Sequence, residues 1–343
     1  MDKRKIVGDA CHQKLYSEIV GELSFNPSAN FDEWKKKIHD KLYELLGMAE
    51  IEKNAIPLSI TIEEQIDKGD YTLTRFVFES ERESFVPCML LVPNTYKAKY
   101  PLVIALQGHT SGFHLSVGKI KHERDENYLG SAFGIQAVKN GYACLCIEQR
   151  ALGERISEKS WVWGSHRCEY PFMTAIMLGR TLIGERVWDV SRAIDLLANF
   201  DKIDTDKIII TGNSGGGTAS YYSACLDERI KICVPSCAFS PYKTSIMPIS
   251  HCPCNYIPNV MKWFEMQDLS CLIAPRKLSI VSGKIDNIFP IEGVREGYKT
   301  VEKIYEKAGV TKNVELIETE EGHFWHEGLV WGAINKRVKE LGW

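Results

Sequence analysis

"KIIITGNSGGGTASYYSACLD", residues 207–227, decides the fold. An apolar run ends at Thr211, the turn Gly212-Asn213-Ser214-Gly215-Gly216 follows, and a stretch of helical character begins. Glycine loses more backbone entropy on folding than any other residue, so four of them around one serine mark a place where space outweighs propensity. A strand, a G-x-S-x-G turn and a helix are the context of a nucleophile elbow, in which a strained turn exposes the serine and small neighbours admit the adjoining backbone. The hydroxyl is then lifted to a helix N-terminus, where backbone N–H groups and the helix dipole favour developing negative charge. The run fits neither phosphate-binding pattern. Thr218 follows Gly217 with no lysine beside it, and G-x-G-x-x-G is absent.

Outward from this turn, short apolar runs recur: 101–108 "PLVIALQG", 142–149 "YACLCIEQ", 231–236 "KICVPS", 277–283 "KLSIVSG" and 313–319 "NVELIET". Helical spacing lies between them, at Val187, Val190, Ile194 and Leu197 and again at Val294, Tyr298, Val301 and Tyr305. Runs that are apolar throughout imply strands covered on both faces, so the reading is an α/β fold with a mostly parallel central sheet flanked by helices. Ahead of them, 58–66 "LSITIEEQI", 71–80 "YTLTRFVFES" and 85–93 "FVPCMLLVP" read as an antiparallel start to the sheet. Residues 1–57 read as an N-terminal helical extension, with 58–343 the α/β domain. In 30–47 "NFDEWKKKIHDKLYELLG", Phe31, Trp34, Ile38, Leu42 and Leu45 share a helical face. Asn30 and Glu33 have capping-box spacing, and Gly47 stands at the stop. Irregular insertions near 154–180 and 239–268 follow strands and are expected to cover the C-terminal sheet edge, where open parallel sheets bind ligands.

Composition narrows the function classes. A chain of 343 residues with 44% hydrophobic and 25% charged residues can bury a large core. A net charge of −3 gives no reason to expect nucleic acid or an anionic membrane as partner. No signal-like h-region and no membrane-length apolar stretch is seen, so the 11 cysteines read as reduced thiols in a cytoplasmic protein.

A serine nucleophile needs a base to take its proton and an acid to orient the base. Asp286 falls just beyond the run 277–283, and His323 just beyond 313–319, both at the sheet edge where Ser214 is expected. The chain order Ser, Asp, His is that of strand-tip triads. His326, Asp268 and Glu320 are the rivals; His326 is expected to open the last helix, and Asp268 precedes its strand. The oxyanion donors are assigned to the backbone N–H groups of Gly215 and of His109, in the loop after 101–108.

With these residues in place the sequence resembles the α/β-hydrolase superfamily, and within it the dienelactone-hydrolase-like and acetyl-xylan-esterase-like serine esterases. The resemblance covers about residues 60–340 and rests on "QGHTSG", "EQRALGER", "GRTLIGERVWDVSRAIDLL", "TGNSGGGTA", "LIAPRKLSIVSGKIDNIFP" and "EGH". It implies cleavage of carboxylic esters through an acyl-enzyme, on small-molecule or oligosaccharide substrates, with acetylated carbohydrate leading. Dienelactone hydrolases proper carry a cysteine at the elbow, where this chain has Ser214; Gln107 replaces a common histidine, and "EQRALGE" stands for a usual D-x-R-G-x-G, with Arg150 matching and its neighbours not. Two other classes stay open, a prolyl-oligopeptidase-like peptidase or amidase and a non-enzymatic binding module. No repeats that could build a propeller gate are present, which lowers the peptidase reading.

The remaining residues admit plain readings beside functional ones. Trp161, Trp163 and Phe172 serve equally as a sugar-facing wall, the core of a lid or a contact within a homo-oligomer. His251, Cys252 and Cys254 cluster, but C-x-C is not the usual zinc spacing and no second ligand pair is evident, so neither metal nor cofactor is expected. Arg180 and Arg186 open a helix and are expected to pair with acids such as Glu185 and Asp189.

Overall fold

The computed structural model describes residues 8–161 and 168–343. Nine strands run in chain order: β1 (Ile60–Asp67), β2 (Tyr71–Glu81), β3 (Ser84–Pro93), β4 (Tyr100–Leu106), β5 (Ala143–Ile147), β6 (Ile203–Asn213), β7 (Ile230–Ser236), β8 (Lys277–Gly283) and β9 (Val314–Thr319). They form one sheet in the order β1-β2-β3-β5-β4-β6-β7-β8-β9. Pairing is antiparallel from β1 through β3 to β5 and parallel from β5 to β9. The run "ACLCI" is buried along its whole length because helices cover both faces of the parallel part.

The helices used below are α1 (Ala10–Glu18), α2 (Phe31–Leu45), α3 (Met48–Glu52), α4 (Phe133–Lys139), α5 (Glu169–Met177), α6 (Leu182–Asp195), α7 (Gly215–Leu226), α8 (Ser270–Ile273), α9 (Ile291–Lys307) and α10 (Glu327–Glu340). Period-two alternation divides each central strand between two cores. Leu102, Ile104, Ile208 and Ile210 pack under α6, α7 and α9, while Val103, Ala105 and Ile209 pack under α4 and α10.

The N-terminal helices join the first core. Trp34, Ile38 and Leu42 of α2 are buried in the same apolar cluster as Val187 and Val294, with Phe31 and Leu45 partly buried against it. Asn30 caps α2 by accepting the Glu33 N–H at 3.1 Å, and Gly47 ends the segment at φ 72°. The Phe25 N–H reaches Asp268 at 2.9 Å, tying this segment to the second insertion.

One buried ion network fastens the antiparallel strands to α6. Arg150 makes two 2.9 Å hydrogen bonds to Asp189, and Arg155 reaches the same carboxylate at 2.7 Å. Glu81 of β2 pairs with Arg150 and Arg180, and Glu185 with Arg180 at 2.9 Å. Burial opposes ionisation of Asp189, but the charges of Arg150 and Arg155 outweigh it and hold the carboxyl below its ordinary range. The expectation for Arg180 holds. That for Arg186 does not: its guanidinium donates to the Arg150 carbonyl at 2.9 Å and to the Cys168 sulfur at 3.4 Å. The nearby acids are already taken by Arg150, Arg155 and Arg180.

Candidate active site

The turn between β6 and α7 is strained where the sequence requires it. Ser214 sits at φ 54° and ψ −124°, a region that costs a non-glycine residue of order 1–3 kcal/mol. Its N–H is fixed by the Ser236 carbonyl of β7 at 2.9 Å. A Cβ on Gly212 would lie 2.5 Å from the Leu106 carbonyl oxygen, and one on Gly216 only 2.0 Å from it. The glycines let α7 descend onto β4 so that the serine stands clear above the strand tips.

Two loops bring partners to it. The loop after β8 carries Asp286, whose Oδ1 accepts the N–H groups of Ile288 at 2.8 Å and Phe289 at 2.9 Å. Its Oδ2 lies 2.7 Å from His323 Nδ1, in the loop after β9. His323 Nε2 lies 2.9 Å from Ser214 Oγ. With Nδ1–H donating to the carboxylate, Nε2 is left to accept the serine proton. Burial pushes Asp286 up, yet the hydrogen bond and charge of His323, with the two backbone N–H groups, bring its carboxyl below the usual range. Phe289 stacks on the His323 ring at 5.9 Å and an interplanar angle of 15°. The rivals lie elsewhere: Asp268 binds backbone at 2.9 Å, Glu320 pairs with Lys284, and His326 precedes α10 and meets the Gly322 carbonyl at 3.1 Å.

The loop after β4 closes the other side. Gln107 anchors it by donating to Ser116 Oγ at 2.8 Å and to the Ser131 carbonyl at 2.9 Å. The His109 ring lies against the elbow, since a Cβ on Gly215 would meet its Cε1 at 2.7 Å. Gly215 opens α7, so its N–H has no partner within the helix.

These groups border a cleft of about 950 Å³ that holds Ser214 and His323. Among the described residues its aromatic lining is Tyr128, Phe133, Phe289, Phe324 and Trp325. Phe172 is absent from that lining and instead packs against Ala151, Leu152, Cys168, Leu182 and Cys254. Trp163 and the side chain of Trp161 lie outside the described residues. Sequence reading missed this wall because its rings come from four separate places along the chain. The one available signal was adjacency, since Phe324 and Trp325 follow His323 directly.

His251 and Cys252 line the same cleft, with Cys254 packed beneath. Burial, with the positive potential of neighbouring His323, pushes His251 down to about 4. The fold adds two donors that C-x-C spacing does not reveal, His109 and Cys168; together with Cys252 and Cys254 their ligand atoms lie within 4.8 Å of one another. Cys237, Asp286 and His323 form a second such group, but there the carboxylate and imidazole are engaged with each other and with Ser214.

Known proteins fall on the same architecture. A model of the Abhydrolase family matches residues 1–321. "Putative hydrolase YtaP" of Bacillus subtilis (strain 168) is 26% identical over 273 residues, which is 75% of this chain and 89% of that protein. A putative acetyl xylan esterase of Bacteroides fragilis NCTC 9343 superposes with a TM-score of 0.75 at 17% identity, covering 92% of this chain and 83% of the other. A glucuronoyl esterase of Solibacter usitatus superposes with a TM-score of 0.66 at 15% identity, over 94% and 97% of the two chains. At these identities the superpositions establish a common fold. None of the described helices is long and apolar enough to cross a membrane.

Proposed function

The chain belongs to the Abhydrolase family, and from that premise we propose that it is a serine hydrolase of carboxylic esters, with acetylated carbohydrate as its substrate class. The observation that carries the reading is a single imidazole, His323, within hydrogen-bond distance of both a strained serine and a buried carboxylate.

Ser214 attacks the ester carbonyl as His323 Nε2 takes its proton. The C–O bond to the alcohol breaks, and the alcohol leaves with that proton. Water then attacks the acyl-serine, and His323 again accepts a proton and returns it to Ser214. Asp286 holds the tautomer and stabilises the imidazolium. The N–H groups of Gly215 and His109 take the developing oxyanion, a contribution typically of about 3–4 kcal/mol per donor. The names of the structural relatives, an acetyl xylan esterase and a glucuronoyl esterase, support a carbohydrate ester, as does a cleft walled by aromatic rings. Residues 58–343 are the catalytic unit in this reading. The eleven cysteines are free, which supports a reducing compartment such as the cytoplasm.

Purified protein is expected to label at Ser214 with a fluorophosphonate. It should also release acetate from acetylated xylo-oligosaccharides faster than it cleaves uronic-acid methyl esters or aminoacyl-arylamides. Absence of labelling in folded protein overturns serine catalysis. Labelling with preferential arylamide turnover overturns the ester assignment.

A further inference from the structure

We propose that His109, Cys168, Cys252 and Cys254 bind one zinc ion as a closed structural site beside the catalytic cleft. Their ligand atoms lie within 4.8 Å of one another, with His109 Nε2 at 3.2 Å from the Cys254 sulfur and the Cys252 sulfur 3.4 Å from Cys254. Zn–S bonds of about 2.3 Å place the sulfurs of a tetrahedral site about 3.8 Å apart, so the four side chains need only small adjustments to accept the ion. Cys168 and Cys254 are buried, Cys252 is half-buried, and His109 closes the solvent side.

A second observation points to the same occupant. Arg186 is 2% exposed, and among the described residues no carboxylate pairs with it. Its guanidinium faces the Arg150 carbonyl and the Cys168 sulfur. A buried cation without an anion is costly. Three neutral thiols leave that charge uncompensated, whereas Zn²⁺ with three thiolates and one neutral imidazole carries a net charge of −1 that Arg186 balances. Binding releases the three thiol protons to solvent and involves no redox step. The N–H groups of Arg186 then donate to a thiolate, as outer partners of zinc ligands commonly do.

The chemistry of the set selects zinc over harder cations. Thiolate and imidazole suit zinc, and magnesium or calcium require oxygen ligands. Four protein ligands fill the tetrahedron and leave no position for a reactive water, so the ion is structural. It joins three segments that no strand connects: the loop after β4, the turn leading into α5 and the second insertion. Because the His109 ring lies against Gly215, the ion also fixes the loop that borders Ser214. The inference stands apart from the esterase reading, since ion binding is measured without substrate.

The test is metal content by mass spectrometry after incubation of the full chain with zinc and desalting. One zinc per chain is expected, with thiolate-to-metal charge-transfer absorption in the near ultraviolet after cobalt substitution. C168S, C252S, C254S and H109A should each weaken zinc more than about tenfold, while C11S, at an exposed cysteine outside the cluster, retains it. If C168S or C254S fails to fold, H109A and C252S decide, because these side chains are only partly enclosed. A wild-type chain that emerges without zinc while still showing a cooperative unfolding transition overturns the proposal. So does zinc retained undiminished in H109A and C252S.

Discussion

The two sides of the cleft are built by different means. On one side, Ser214, Asp286 and His323 stand on turns that leave β6, β8 and β9 directly, and the sheet fixes their spacing. On the other, His109 comes from the loop after β4, Cys168 from the turn into α5 and Cys252 from the second insertion, held together by Gln107, by a buried arginine and by Glu148. The first side derives its rigidity from backbone pairing. The second derives it from side chains that bind one another, so changes should cost catalysis on the first side and folding or metal content on the second.

The largest effect expected from breaking this contrast is on Ser214. Ser214→Ala should lower ester turnover by about 10⁴- to 10⁶-fold, with the urea midpoint unchanged or raised, since alanine removes only a hydroxyl at a strained turn. Asp286→Asn should come next. An amide at that position favours the wrong imidazole tautomer, and a loss of about 10⁴ in kcat is expected with KM little altered. Stopped-flow measurement of acylation separates the chemical step from binding. An Asp286→Asn enzyme within tenfold of wild type removes that residue from the relay.

The same contrast governs what the sequence reveals. All nine strands are legible, because alternation and β-branched runs survive without knowledge of tertiary contacts. So is the convergence of Ser214, Asp286 and His323, because each lies only a few residues beyond a strand end and a parallel sheet aligns those ends. Phe172 misleads because its position depends on the course of an insertion, which hydrophobic periodicity does not encode. Cys168 is hidden for the same reason, lying more than eighty residues from Cys252. Arg186 fails through competition. Asp189 is three positions along the same helix, yet Arg150 and Arg155 bind it first.

Asp189 of α6, which anchors the turn after β5 through Arg150 and Arg155, provides the next effect. Asp189→Asn removes the shared anion of two buried arginines and should destabilise the chain by about 3–5 kcal/mol in urea denaturation. Fluorophosphonate labelling of the folded fraction should continue at Ser214. A variant that loses labelling while keeping wild-type stability would reverse the division of labour between the two sides.

The smallest effects lie in opposite pH dependences. Glu148, in the turn after β5, is pushed up to about 7 by burial, although N–H groups of Glu154 and Phe113 oppose the shift. An unfolded glutamate ionises near 4.3, so the native state holds a proton that the unfolded chain has already lost. Stability from this group is therefore full below about pH 4.3 and declines until about pH 7, by up to about 4 kcal/mol at 1.36 kcal/mol per unit. Asp286 has the opposite sign. Its folded value is depressed, so its contribution is present above the unfolded value near 3.9 and lost as pH falls through the folded one. Urea midpoints taken from pH 3 to pH 8 should show Glu148→Gln gaining on wild type as pH rises to neutrality. Over the acidic end, Asp286→Asn should fall behind as pH rises. Parallel curves for both variants would mean that the two carboxyls share one environment, and the distinction between a strand-built and a loop-built wall would fail at its titratable groups.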